Sequence, residues 1–155
     1  MSDIKQALIN IFEVAKNCVD CKTYPHQYIA LGVQPQDCNQ LVAWLDDIRL
    51  TSGTDGNSRC QLQREAIINL SLTRTCIVSL NPDGTVKFNA QQLTNMSICV
   101  IDDIEKLRCC LIENMSLILA STGIRSHGVH IIDTIFDRQI SGDAYTSTLR
   151  VLVKL

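Results

Sequence analysis

No apolar run in this sequence approaches the roughly 20 residues that a membrane-spanning helix needs, so no transmembrane helix is expected. Aromatic residues are scarce, at 5%, and the 14 Lys and Arg are scattered among 16 Asp and Glu. A nucleic-acid groove shows the opposite pattern, a basic cluster interleaved with stacking rings. With a formal net charge of −2, a single chain is not expected to bind DNA tightly, although a ring of copies could still line a charged channel. Catalytic signatures are missing as well: there is no GxSxG elbow, phosphate-cradling glycine loop, HExxH or dinucleotide fingerprint. Nothing nominates a nucleophile with its base. Missing motifs alone do not exclude an enzyme; no cofactor is expected.

What is present is an ordinary globular composition, 46% hydrophobic and 19% charged over 155 residues. That is enough chain to bury a core without staples. One α+β domain over 1–155 is expected, with a polar loop or arm at about 51–61. Cysteine is abundant, with eight residues: Cys18, Cys21, Cys38, Cys60, Cys76, Cys99, Cys109 and Cys110. Met1–Lys5 does not open a signal peptide, so the default is reduced thiols serving as small buried hydrophobes.

The architecture is organised around Asn89 to about Ala120. Leu93, Met96, Val100, Ile101, Ile104, Leu107, Leu111, Met115 and Ile118 recur at helical spacing and predict one apolar stripe. Gln92, Asn95, Asp102, Asp103, Glu105, Lys106 and Glu113 fall largely on the wetted side. Asn89 with Gln92 reads as a capping box, and Gly123 as the stop. A helix with one apolar face needs a sheet to cover.

The rest of the chain supplies that sheet. A first helix is predicted from Asp3 to about Cys18, with Ile4, Ala7, Leu8, Ile11, Ala15 and Cys18 as its stripe. Val19–Gln36 reads as an irregular connection anchored by Tyr24, Tyr28 and Leu31. Asn39–Leu50 is a strand covered on both faces. Thr51–Ser58 is a polar, glycine-rich excursion. Leu62–Val78 is a second strand, with Ile68, Leu70 and Leu72 inward and Asn69, Ser71 and Thr73 outward. Arg74 then lands inward, a conflict that a bulge or an inter-subunit role would resolve. Asn81–Gly84 is a turn, and Gly128–Phe136 with Thr146–Leu155 forms an antiparallel hairpin. The predicted order is α-β-β-α-β-β, an antiparallel or mixed sheet with both helices largely on one face.

Three groupings invite a metal or redox reading. Cys18 and Cys21 have CxxC spacing, the pattern of half a zinc site or a redox pair, with His26, Cys109 and Cys110 as further ligands. The pair closes a helix instead of opening one, and ordinary thiols are the favoured reading. His127, His130 and Asp133 look like a triplet, but on a strand the two histidines point to opposite faces. Turn and surface histidines are expected. Asp46-Asp47 and Asp102-Asp103 are adjacent carboxylates that do not converge, and they mark solvated faces.

Asp37-Cys-Asn-Gln-Leu-Val-Ala-Trp-Leu45 resembles a segment of neck proteins from long-tailed bacteriophages. Arg74-Thr-Cys-Ile-Val78 is similar to their Arg-Cys-Val strand end, from which Thr75 departs as an insertion. Lys106-Leu-Arg-Cys-Cys110 is similar to the cysteine-bearing helix that follows, and Thr148–Leu155 to the closing strand. The resemblance spans roughly Cys38 to Leu155. It implies a non-enzymatic virion protein of the neck, most simply a tail terminator whose hexameric ring caps the tail tube and joins the head-side connector. A connector or stopper layer is the alternative.

Its partners would be other copies, the tail tube protein and head-side neck proteins. Genomic DNA would pass through without specific binding. Assembly would take place in the host bacterial cytoplasm, and the virion neck or tail would be its location. Gly53, Asp55, Asn57, Arg59, Arg64 and Arg74 are the expected interface residues. A released particle leaves the reducing cytoplasm, so late disulfides stay open, and sequence alone cannot pair them. The expectation is buried, unbridged thiols, with Cys76 closest to Cys109 or Cys110. From other classes come a cysteine-based zinc-binding or redox protein and a small-ligand module with an internal cavity.

Overall fold

A computed structural model describes residues 2–30, 39–52, 62–75, 79–80, 82–84, 86–87, 90–139 and 144–154. Helix α1 covers Ser2–Cys18. Ile4, Ala7, Ile11 and Ala15 are buried along it, because their spacing puts them on one face. The stretch predicted to be irregular contains a short strand, β1 (His26–Ile29), which pairs in parallel with β2 (Gln40–Ser52). Strand β3 (Leu62–Thr75) runs antiparallel to β2. Two residue pairs, β4 (Ser79–Leu80) and β5 (Val86–Lys87), form a separate ribbon around the predicted turn. Gly84 takes φ 85° there, the left-handed conformation that glycine adopts without a Cβ clash.

Helix α2 covers Ala90–Glu113 and α3 covers Met115–Leu119. Strands β6 (Val129–Gln139) and β7 (Ala144–Lys154) then form the expected antiparallel hairpin. The main sheet has the order β1-β2-β3-β7-β6. It is mixed, because only the β1–β2 pair is parallel. The fold is therefore α+β, and α1 and α2 both pack against this sheet. The α-β-β-α-β-β order is corrected by β1, by the β4–β5 ribbon and by the break that creates α3.

Cross-strand register explains the core. Leu41 lies opposite Leu72, and Leu70 stands between Ala43 and Leu149. All five side chains are fully buried, and they join Ile104, Leu107 and Leu111 of α2 in one cluster. Of the predicted stripe, Met96, Val100, Ile104, Leu107, Leu111 and Ile118 are buried and Met115 is half-buried, the side chain of Leu93 lies outside the described residues, and Ile101 is 45% exposed beside a fully buried Val100. Adjacent helical residues stand about 100° apart, so only one of them can face the sheet.

The predicted helix also breaks at Asn114, whose side-chain amide donates to the Cys110 carbonyl at 2.8 Å. Ile118 still reaches the core. The end of α3 is satisfied from α1, where the Asn10 amide donates to the carbonyls of Ile118 (3.0 Å) and Ala120 (2.7 Å). Carbonyls in a last helical turn have no partner within the helix. The chain leaves α3 through Ser121 and Gly123, both with positive φ.

The second face of the sheet is more closed than its polarity suggests. Asn69, Ser71 and Thr73 point away from the core side chains of β3, yet all three are buried. Hydroxyl pairs Ser71–Thr148 (2.5 Å) and Thr73–Thr146 (2.9 Å) bridge β3 and β7. Val42 is fully buried on β2, in line with the expectation that both faces of that strand are covered. Irregularities in register fall at Leu45/Asp47 and Ile131/Asp133.

Gly128 seats the start of β6 against the end of β7. A Cβ there would lie 2.7 Å from both the Ile124 side chain and the Lys154 carbonyl. Lys154 donates its N–H to the Gly128 carbonyl, so the two backbones cannot separate freely. Gly128→Ala is expected to lower stability by about 1–3 kcal/mol, the usual cost of overpacking. A denaturant midpoint equal to that of the parent would contradict this close approach.

Candidate functional site

A partly buried polar cluster joins the segment after α1 to α2 and β3. Arg74 does point inward, as the alternation requires, and β3 reaches it without a bulge. Its Nη2 donates to Asp103 Oδ2 at 2.8 Å and its Nε to the Tyr24 hydroxyl at 3.2 Å. Tyr24 in turn donates to the same Asp103 oxygen at 2.5 Å. The guanidinium also sits 5.6 Å from the Tyr24 ring centre, within cation–π range. Tyr24 is almost fully buried, which fits its predicted anchoring role. Asp103, expected on a wetted side, is instead half-buried and supplies the negative partner.

Burial, followed by the hydrogen bond to Asp103, raises the pKa of the Tyr24 hydroxyl. Burial opposes the Arg74 charge, but its hydrogen bonds to Tyr24 and Asp103 and the Asp103 carboxylate charge outweigh it and leave its pKa raised. Tyr24 therefore acts as a donor at neutral pH and not as a base. Because its folded-state pKa lies above the unfolded value, the folded state keeps the proton longer. The associated stability is complete below about pH 10, the ordinary tyrosine value, and is lost as pH rises further toward the folded value. Tyr24→Phe is expected to cost about 1–3 kcal/mol at neutral pH and to flatten the decline in stability above about pH 10. Denaturant titrations on both sides of that pH check the slope.

Beside this triad opens a cleft of about 170 Å³, lined by Cys18, Val19, Asp20, Thr23, Tyr24, Asp103 and Lys106. The Asp20 carboxylate accepts from the Lys22 N–H and the Thr23 hydroxyl, both at 3.0 Å. Those two bonds lower its pKa and fix the turn that follows α1.

Cys18, on the cleft wall, is bonded to Cys110 of α2, with Cα atoms 5.9 Å apart across 92 residues of sequence. This overturns the expectation of unbridged, buried thiols. Packing of α1 on α2 brings the two Cα atoms within the bridging range. Cys21 and Cys109 are free and exposed, and Cys99 is free and half-buried. Cys38, Cys60 and Cys76 lie outside the described residues, as does the expected approach of Cys76 to Cys109 or Cys110.

Cys18 and Cys21, the weak metal candidates of the CxxC spacing, are split between a bridge and a free thiol. Among the described residues no group of three His, Cys, Asp or Glu side chains converges as a metal site. His127 lies in a turn, His130 on β6, and both are exposed with Asp133. Asp133 accepts from Arg150 at 3.3 Å. Of the expected interface residues, Gly53, Asp55, Asn57 and Arg59 lie outside the described residues. Arg64 is exposed on β3, and Arg74 is engaged within its own chain. Asp103 was missed, although an inward arginine on β3 signals an acid on the helix that covers it. No protein-family model and no curated protein sequence matches the chain.

Proposed function

We propose that this chain is a structural subunit of the phage neck, a tail terminator that closes into a hexameric ring on the tail tube. The observation that best supports a ring subunit is the edge strand β6. It spans 11 residues and pairs with β7 alone among the described residues. Ile132 and Ile135 on it are 46% and 47% exposed. An edge of that length carrying branched apolar side chains is a template for another chain. A head-to-tail ring needs such a surface on each subunit. The sequence resemblance supplies the neck assignment, with the tail tube protein and head-side neck proteins as partners and DNA passing through the lumen.

The purified chain is expected to show a mass near six times the 17.3 kDa subunit, either alone or on addition of tail tube protein. Ile132→Lys with Ile135→Lys should leave the melting temperature in place, since both side chains are exposed, and dissociate the ring. A monomer under both conditions, or a ring indifferent to these lysines, would count against the proposal.

A further inference from the structure

Each cysteine of the bridge between α1 and α2 has a free cysteine near it in sequence. Cys18 and Cys110 form the bridge. Cys21 follows Cys18 by three residues in an exposed turn, and Cys109 stands next to Cys110 on the exposed side of α2. The turn is held by the Asp20 carbonyl, which accepts from the N–H groups of Thr23 and Tyr24, and by the Asp20 carboxylate. Cys18 borders the open cleft, so the bridge is not sealed within the core.

We infer that Cys18–Cys110 is an exchangeable disulfide and that Cys21 is its internal attacking thiol. The attacking species is the Cys21 thiolate, its proton given up to water. It attacks the Cys18 sulfur; the Cys18–Cys21 bond forms, the Cys18–Cys110 bond breaks, and the electron pair leaves on the Cys110 sulfur, which takes up a proton. One disulfide and one thiol are present before and after, so the step consumes no oxidant or reductant. The two pairings differ mechanically: one ties α1 to α2, and the other closes only the turn after α1 and leaves Cys109 and Cys110 as a neighbouring thiol pair. The chain would thus switch between a tethered and an untethered helix pair, independently of whether it forms a ring.

The test is peptide mapping of the full chain after incubation at about pH 8.5, where an ordinary thiol is half ionised, followed by alkylation and trypsin. Cleavage after Lys16, Lys22, Arg108 and Arg125 places Cys18 and Cys21 on one peptide and Cys109 and Cys110 on another. The expected result is partial loss of the cross-linked peptide pair. It is matched by a 17–22 peptide carrying an internal disulfide and a 109–125 peptide alkylated at both cysteines. Cys21→Ser should keep the cross-link intact over the same time. A cross-link equally persistent in the parent and in Cys21→Ser would overturn the inference, as would loss of the cross-link at the same rate in both.

Discussion

Leu107→Ala is expected to lower the unfolding free energy by about 2–5 kcal/mol, among the largest losses any single truncation in this chain should produce. Leu107 is fully buried in the middle of α2, between Ile104 and Leu111, and belongs to the cluster that joins both long helices to β2, β3 and β7. Removing its isobutyl group takes apolar area out of the core and leaves a void between helix and sheet. Rigid neighbours on the β3 and β7 ladders, such as Leu70 and Leu149, are held by backbone pairing and cannot close over it. A loss near the upper end of the range means that the site does not collapse. An unchanged melting temperature would show that the stripe does not face the sheet.

Reduction of the Cys18–Cys110 bridge is expected to cost about 4–5 kcal/mol on a chain-entropy account, because the bridge closes a long loop. The separation of 92 residues restrains most of the unfolded chain. The measurement is denaturant unfolding with and without reductant, made in Cys21→Ser so that exchange within the turn does not blur the comparison. A midpoint unaffected by reductant would mean that the two sulfurs are not joined in solution. A transition that becomes broader on reduction would instead show α1 separating from the sheet ahead of the rest.

Leu107 and the bridge differ in how far the sequence foretells them. Leu107 was legible because helical periodicity reports burial directly, as did the alternation of Ile68, Leu70 and Leu72 on β3. The same logic failed at Ile101, where two adjacent apolar residues compete for one face. It also failed at Asn114, because the stripe from Leu111 to Ile118 runs on through a break made by one side-chain amide. Strand β1 carries no alternation of its own, since its four residues have exposed ends and half-buried centres; its pairing with β2 defines it. The cysteine bridge was illegible for a related reason. Nothing in the spacing of Cys18 and Cys110 encodes the packing of α1 on α2 that joins them. Arg74 lay between these cases: its inward direction was readable, while its partners Tyr24 and Asp103 came from elements far away in sequence.

The sheet order also sets a schedule for folding. The β2–β3 and β6–β7 ladders join neighbours in the chain, whereas the β3–β7 ladder, from Glu65↔Lys154 to Thr75↔Ala144, joins strands separated by both later helices. Pairing over such distances raises contact order and slows folding. The local hairpins should form first, and their joining along β3–β7 should limit the rate. During synthesis that seam cannot close until residues 144–154 have left the ribosome. Until then the β2–β3 hairpin waits with the second edge of β3 unpaired, a template on which another chain could add a strand.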